Sequence, residues 1–171
     1  MSKAELTKES PRTSTAAGEL SLRSYLTQLE REHPGEVLRI SRPVDPAQYE
    51  IAAILKHLEN LGKFPMVYFA QPKDLNGRIA VHPLISNVFA SRERCTVALG
   101  LRVEQSGMEL SLEYACRLKN PLAPVQIARS QAPVKQMVAR GGECDLRNLP
   151  IVRHHEMDPA PYIGHLLSRN Q

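Results

Sequence analysis

The sequence predicts an α/β fold: a layered mixed sheet with flanking helices. Apolar residues recur at helical spacing in several stretches. Between them lie short apolar runs rich in β-formers, and turn-forming residues separate the runs. Elements of this size and alternation suit one ordinary domain within 171 residues.

Leu22, Tyr25, Leu26 and Leu29 stand at i, i+3, i+4 and i+7, which predicts a helix. Ser21 is its N-cap and Pro34-Gly35 its end. "EVLRISRP" alternates and predicts a strand. Asp45-Pro46 is expected to open a second helix, with Ile51, Ile54, Leu55 and Leu58 as its apolar stripe and Gly62 as its stop. Met66–Ala70 reads as a buried strand. "QPKDLNG" is turn chemistry with Asn76-Gly77 at its tip, and "RIAVHP" is the expected partner strand. A third helix is expected from Asn87 to Leu101 with Val97, Ala98 and Leu101 inward. A fourth is expected from Met108 to Leu118 with Met108, Leu112, Ala115 and Cys116 on one face.

The ends are different in kind. Residues 1–19 are rich in Ser, Thr and Lys and predict a disordered tail, since so little apolar surface cannot offset the entropy of ordering. This stretch lacks the apolar core of a secretory signal, and Glu5, Glu9 and Glu19 argue against a transit peptide. Residues 20–120 form the expected α/β domain. Residues 121–171 form a proline-punctuated segment, in which "PVKQMVAR" reads as a possible strand and "DLRNLP" as a 3₁₀ turn.

Composition narrows the function classes. With 42% hydrophobic and 23% charged residues the chain reads as a globular protein, and no apolar run approaches the roughly 20 residues of a membrane helix. Cys95, Cys116 and Cys144 are odd in number, widely spaced and without a C-x-x-C pair. That pattern predicts buried reduced thiols in a cytoplasmic protein. The net charge is +4, and both signs look mixed along the chain. With no nucleic-acid motif, the basic balance is a weak signal for nucleic acid.

The densest chemistry is "LPIVRHHEMDPAPYIG", which gathers His154, His155, Glu156 and Asp158. Adjacent residues in an extended segment point to opposite faces, so the two imidazoles do not converge on one ion. Zinc sites space their histidines differently, as at i, i+4. One surface and one packed histidine is the expected outcome. Arg92 and Arg94 in "SRERC" suggest an anion grip, weighed against a helical first turn whose charges pair locally. No Gly-rich phosphate loop or nucleophile elbow occurs, and no residue is assigned a catalytic, cofactor-binding or metal-binding role.

Several stretches, in order, carry a family resemblance: "LRSYLTQLER", "VLRISRPVDPAQYEIAAIL", "NVFASRERCTVALGL", "NPLAPV", "APVKQMV" and "DLRNLPIVRHHEMDPAPYI". Over about residues 22 to 163 the chain resembles the N-terminal part of UbiD-type decarboxylases, the 3-octaprenyl-4-hydroxybenzoate carboxy-lyase class. It departs at Ala132 before Pro133, where the family usually has Gly, and at Pro159-Ala160, where the family has an Ala/Gly pair. Beyond Ile163 the family continues with Thr and Gly, whereas this chain reads Gly164-His165.

The resemblance implies an N-terminal α/β domain followed by the lead-in to a split β-barrel that binds flavin. It implies prenylated FMN, a manganese-type divalent metal and potassium for the full-length enzyme, held by residues further along than this chain reaches. The implied activity is decarboxylation of aromatic or α,β-unsaturated acids, with this stretch inactive alone. His155, Glu156 and Asp158 become positioning residues at a domain junction. The competing reading is an accessory subunit that docks on a separate catalytic UbiD-type chain, and the resemblance implies a catalytic UbiD-type subunit or a homo-oligomer as partner in the full-length form. A small nucleic-acid-binding domain and a self-contained metal hydrolase rank below both.

Overall fold

A computed structural model describes residues 21–158. The expected tail at 1–19 and the Gly164-His165 departure lie outside the described residues. Helix α1 spans Leu22–Glu32, and the Ser21 hydroxyl accepts from the Ser24 N–H as its cap. Strand β1 (Val37–Val44) and strand β2 (Met66–Pro72) pair in parallel, joined by helix α2 (Glu50–Asn60). Strand β3 (Leu84–Ser86) runs antiparallel to β2, so the sheet order is β1-β2-β3. Helices α3 (Arg92–Ala98) and α4 (Met108–Lys119) follow.

Strand alternation sorts the core into two faces. Val67 and Phe69 point to the side covered by α2, where they meet Val44, Ile51 and Leu58. Met66 points to the other side and packs with Leu26 and Leu29 of α1 and Val97 of α3. Register carries the alternation across strands. Leu38 and Ile40 lie opposite Val67 and Phe69, and Val37 and Arg39 lie opposite Met66 and Tyr68. Arg39 uses its position to stack on the Tyr68 ring at 4.2 Å and to pair with Glu30 of α1 at 2.5 Å. With helices on both faces, the sheet is the middle of three layers.

Several boundaries differ from expectation. Asp45-Pro46 opens a 3₁₀ turn (Pro46–Gln48), not α2. Tyr49 then takes a left-handed conformation, φ 63°, which breaks the helical path before Glu50. Gly62 is the stop as expected: at φ 66° its N–H donates to the Glu59 carbonyl, and the Lys63 N–H donates to that of Leu58. The segment "RIAVHP" is not the partner strand. Only Ile79 bridges back, to Lys73, and β3 begins after Pro83. Pro72 ends β2 and has no N–H for a ladder, so pairing resumes only where Leu84 reaches Phe69.

Helix α3 is seven residues, far shorter than Asn87 to Leu101. Asn87 is left-handed at φ 58°, and Gly100 caps the other end at φ 69°. Val97 is buried, Leu101 half-buried and Ala98 exposed, while Arg94 and Thr96 are buried instead. Helix α4 forms where expected, and the face of Met108, Leu112, Ala115 and Cys116 is exposed, while Leu110 is its buried residue. "PVKQMVAR" is not a strand; it opens with a 3₁₀ turn at Pro133–Lys135. "DLRNLP" does form its 3₁₀ turn, at Leu146–Asn148. The thiols are free, but Cys95 is half-buried and Cys116 and Cys144 are exposed.

Candidate functional site

Parallel strands β1 and β2 end side by side at Val44 and Pro72, and the Lys73 N–H donates to the Val44 carbonyl at 2.8 Å. Carboxyl ends of parallel strands are where open α/β sheets usually receive ligands. Here residues 145–158 of the same chain lie across the loops that follow them. The contact is built in two steps.

First, the loop after β2 is shaped by Asp74. Its Oδ1 accepts the Asn76 and Arg78 N–H groups at 2.9 Å each, and its Oδ2 pairs with the Arg78 guanidinium at 3.3 Å. Burial opposes ionisation of Asp74, yet these amide donors and the Arg78 charge together hold its carboxyl below the usual value. The loop so fixed presents three donors to the returning chain. The Leu75 N–H reaches the Arg147 carbonyl at 2.9 Å. The Asn76 amide reaches the Asn148 side-chain oxygen at 3.3 Å, and Arg78 Nη2 reaches the same oxygen at 2.8 Å. Asp145 caps the 3₁₀ turn that carries Arg147 and Asn148. Its fork to Arg147, at 2.9 and 3.0 Å, and the Arg147 N–H draw its carboxyl down as well.

Second, the loop after β1 receives Arg153. Its N–H donates to the Pro46 carbonyl at 3.0 Å, and its guanidinium lies 5.0 Å over the Tyr49 ring. Ile151 is buried, and Val152 packs on the α2 side of the core. Asp45 and Glu50 brace this corner: the Asp45 side chain caps Ala47, and Glu50 Oε2 accepts the Asp45 N–H at 2.6 Å. The sequence step Pro43-Val44-Asp45-Pro46 into Glu50 thus forms a seat for Arg153.

The four ligand-like residues do not converge on a metal. Asp158 Oδ2 accepts the backbone N–H groups of His154 and His155 at 2.9 Å each, and these two donors draw its carboxyl below the usual value. Both imidazoles are exposed, 6.4 Å apart and tilted 46°, where one packed histidine was expected. A turn, with the Asp158 N–H on the His155 carbonyl, replaces the extended run. Arg153 closes it, donating to the carbonyls of Glu156 and Asp158. Among the described residues no group of three or more His, Cys, Asp or Glu is placed to hold a metal ion.

Arg92 and Arg94 are likewise structural. Arg94 is buried and donates to Glu36 and to the carbonyls of Phe64, Asn87 and Val88. Arg92 donates to the carbonyls of Ser106 and Gly107 at 2.6 and 2.7 Å. The Arg94 guanidinium is taken up within the fold, whereas Arg92 stays exposed with its Nε and Nη2 on those carbonyls and on Ser111. Sequence reasoning missed the Arg94 node, because an arginine in a helical first turn carries no local sign of burial.

An open apolar groove runs between β1 and α2, floored by Leu38, Ala53, Ile54 and Leu58. Arg42, Glu50 and His57 also line it, and Arg42 and Glu50 pair with each other at 3.8 Å. No buried side-chain N or O among the described residues lacks a hydrogen bond, so the interior offers no polar socket. What the arrangement does is fix where residues 145–158 leave the domain.

Known proteins share this fold. The family model for the 3-octaprenyl-4-hydroxybenzoate carboxy-lyase N-terminal domain matches residues 28–112, and that for the Rift-related domain of the same carboxy-lyase matches residues 125–168. The chain is similar to an evolved dimeric form of the UbiD-class enzyme HmfF from Pelotomaculum thermopropionicum in complex with prFMN. Identity is 29%, the TM-score is 0.68, and the match covers 85% of this chain and 30% of that one. It is also similar to the vanillic acid decarboxylase ShVdcCD of Sedimentibacter hydroxybenzoicus in closed form, at 28% identity and TM-score 0.67, over 81% of this chain and 28% of that one. The chain spans less than a third of the length of these enzymes.

Proposed function

We propose, from the premise that this chain belongs to the 3-octaprenyl-4-hydroxybenzoate carboxy-lyase (UbiD) family and carries its N-terminal part, that residues 20–120 serve as the N-terminal module of a prenylated-FMN-dependent decarboxylase. Residues 121–171 are then the linker and the entry to the flavin-binding barrel. The reaction of the whole enzyme is non-oxidative loss of CO₂ from an aromatic or α,β-unsaturated acid. When bound, the flavin supplies the electron sink, and a manganese-type metal and potassium accompany it. The residues that touch substrate and cofactor lie outside 21–158.

The observation that carries this reading is the docking of Arg147, Asn148 and Arg153 on the loops after β1 and β2. It gives the chain a fixed point of departure, so that whatever follows Asp158 starts from a set position. Support comes from the alignment of 85% of this chain with an enzyme solved with prFMN.

The test has two arms. The purified 171-residue chain, supplied with prenylated FMN, Mn²⁺ and K⁺, is assayed against aromatic and α,β-unsaturated acids; no CO₂ release is expected. A chimera then carries residues 21–158 in place of the matched third of HmfF. Retained decarboxylation by the chimera supports the module reading, and turnover by the 171-residue chain alone would sink it.

A second reading, an accessory subunit that docks on a separate catalytic chain, is favoured by exposed apolar side chains after α4, Leu122 and Met137 being 95% and 91% exposed. The vanillic acid decarboxylase was also solved with truncated ShVdcD. Co-purification of the 171-residue chain with a UbiD-type catalytic chain would favour this reading, and a monodisperse monomer in its presence would count against it.

A further inference from the structure

Asn76-Gly77 is the tip of the loop after β2, and its side chain is a donor to the returning chain. The pair also has a chemistry of its own. A backbone nitrogen that follows asparagine can attack the side-chain carboxamide and close a cyclic succinimide. Glycine eases the attack, because it has no Cβ to hinder the nitrogen or to restrict the rotation that ring closure needs. Of the chain's asparagines, Asn76 alone is followed by glycine. Asn60, Asn87 and Asn148 precede Leu or Val, and Asn120 precedes Pro121, which has no N–H.

Both reacting groups are held. The Gly77 N–H donates to the Asp74 carbonyl at 3.0 Å, which binds the nucleophile into the turn. The Asn76 N–H donates to Asp74 Oδ1 at 2.9 Å and fixes the backbone on the other side of the carboxamide. The leaving nitrogen, Asn76 Nδ2, lies 3.4 Å from the Arg147 carbonyl and 3.3 Å from Asn148 Oδ1. Donation to those acceptors pins the carboxamide and strengthens its resonance, so its carbon is a poorer electrophile. Asp74 belongs to the loop itself, whereas the Arg147 and Asn148 contacts exist only while residues 145–148 are docked. Asn76 and Gly77 are exposed, so water reaches the ring once it forms.

We propose that Asn76-Gly77 is a deamidation site gated by the docking of residues 145–148: docking protects it, undocking releases it to become aspartate or isoaspartate, and either product weakens docking in turn. The inference uses this chain's own residues and is independent of the module reading above.

The step balances. The Gly77 nitrogen loses its proton to water and bonds to Asn76 Cγ. The Cγ–Nδ2 bond breaks, and Nδ2 takes a proton from water and leaves as ammonia. A water then opens the ring. Cleavage between the Gly77 nitrogen and Cγ leaves aspartate. Cleavage between that nitrogen and the Asn76 backbone carbonyl carbon leaves isoaspartate, with the chain running through Cγ. Water is consumed, ammonia is released, and no electron changes hands.

Both products spoil the clasp. Aspartate sets acceptors against the Arg147 carbonyl and Asn148 Oδ1, which are acceptors themselves, and competes for the Arg78 guanidinium that holds Asn148. Isoaspartate adds a backbone atom to the turn that the Gly77–Asp74 bond closes, and it has no amide to donate. Since asparagine is not regenerated, the site records how long residues 145–148 have spent undocked.

The test incubates the 171-residue chain in mildly alkaline buffer, beside the same chain in denaturant and beside Asn148→Ala and Arg153→Ala. Peptide mass spectrometry follows deamidation at Asn76, and isoaspartyl methyltransferase labelling counts isoaspartate. The folded parent should convert at least about tenfold more slowly than the denatured chain, because local opening must come first. Asn148→Ala, which removes an acceptor shared by Asn76 and Arg78, should speed conversion roughly fivefold. Arg153→Ala touches none of the Asn76 bonds but loosens docking at Tyr49, and should speed it as well. Should that variant fail to fold, Arg153→Lys replaces it, losing the planar fork that donates to the Glu156 and Asp158 carbonyls. Limited proteolysis within residues 121–144 should be faster for Asn76→Asp than for the parent. Absence of conversion in denaturant overturns the site. Equal rates in parent, variants and denaturant overturn the gate, as does acceleration by Asn148→Ala without any by the Arg153 variant. Cleavage of Asn76→Asp at the parent rate overturns the weakened docking.

Discussion

The guanidinium of Arg94, in the first turn of α3, is buried on the carboxylate of Glu36, which lies between α1 and β1. The two are 58 residues apart in sequence. Arg94 also satisfies the carbonyls of Phe64, Asn87 and Val88, so one side chain ties the start of β1, the approach to β2 and the left-handed turn before α3. Four acceptors in different directions suit the planar fork of arginine and not the single ammonium of lysine.

Arg94→Ala should therefore destabilise the fold by roughly 3 kcal/mol, mostly from carbonyls and a carboxylate left without a donor. Arg94→Lys should recover less than half of that. Urea unfolding of both variants measures it. A loss within error of a typical surface substitution for either would refute the role given to Arg94.

The Tyr25 hydroxyl donates to the Arg94 carbonyl at 2.7 Å. Burial pushes the Tyr25 phenol up to about 12, partly offset by the Arg94 charge. A phenol with a folded value above its unfolded one binds its proton more tightly when folded. Its contribution is complete below pH about 10 and is lost as pH rises from there toward 12. The urea midpoint should fall over that window, and Tyr25→Phe should remove this part of the fall.

Asp158 gives the opposite sign. Its carboxyl is drawn down by the His155 and His154 amides, so the turn it holds is complete above the ordinary carboxylate value of about 3.9 and is lost as pH falls through the lowered folded value. Amide exchange at His154 and His155 reports it directly. Asp158→Ala should speed exchange at both by roughly tenfold at neutral pH, the worth of one ordinary hydrogen bond. A matching change confined to the imidazole resonances would instead point to a side-chain role.

Asn148→Ala removes the oxygen shared by Asn76 and Arg78. All three groups are exposed, so the global cost should be small, about 1 kcal/mol or less. The local effect should be larger. Limited proteolysis within residues 121–144 should accelerate, because the returning end of that stretch has lost one of its anchors. Unchanged cleavage would show that Arg153 on Pro46 and Tyr49 suffices.

Much of this was readable from the sequence. Ser21 and the Leu26–Leu29 face gave α1, β-branched and aromatic residues gave β2, and Gly62 gave the end of α2. Each is a local signal with a local cause. The errors fall where backbone or partner decides. Tyr49 and Asn87 adopt positive φ without being glycine, so the starts of α2 and α3 came later than periodicity suggests. The stripe of α4 is legible in the sequence but its exposure is not, since periodicity names an apolar face without naming what covers it. In the ligand-like run at His154–Asp158, the use of Asp158 as a backbone acceptor needs coordinates to be seen.

The bond from Asn76 to Asn148 spans 72 positions, and that from Arg78 to Asn148 spans 70. The β2–β3 pairing joins residues far nearer in sequence, from Val67 with Ser86 to Phe69 with Leu84. The clasp of Asn148 on Asn76 and Arg78 therefore closes a much longer loop and costs more chain entropy for its few bonds. Contacts of this separation raise the contact order of the domain, the quantity against which folding rates fall.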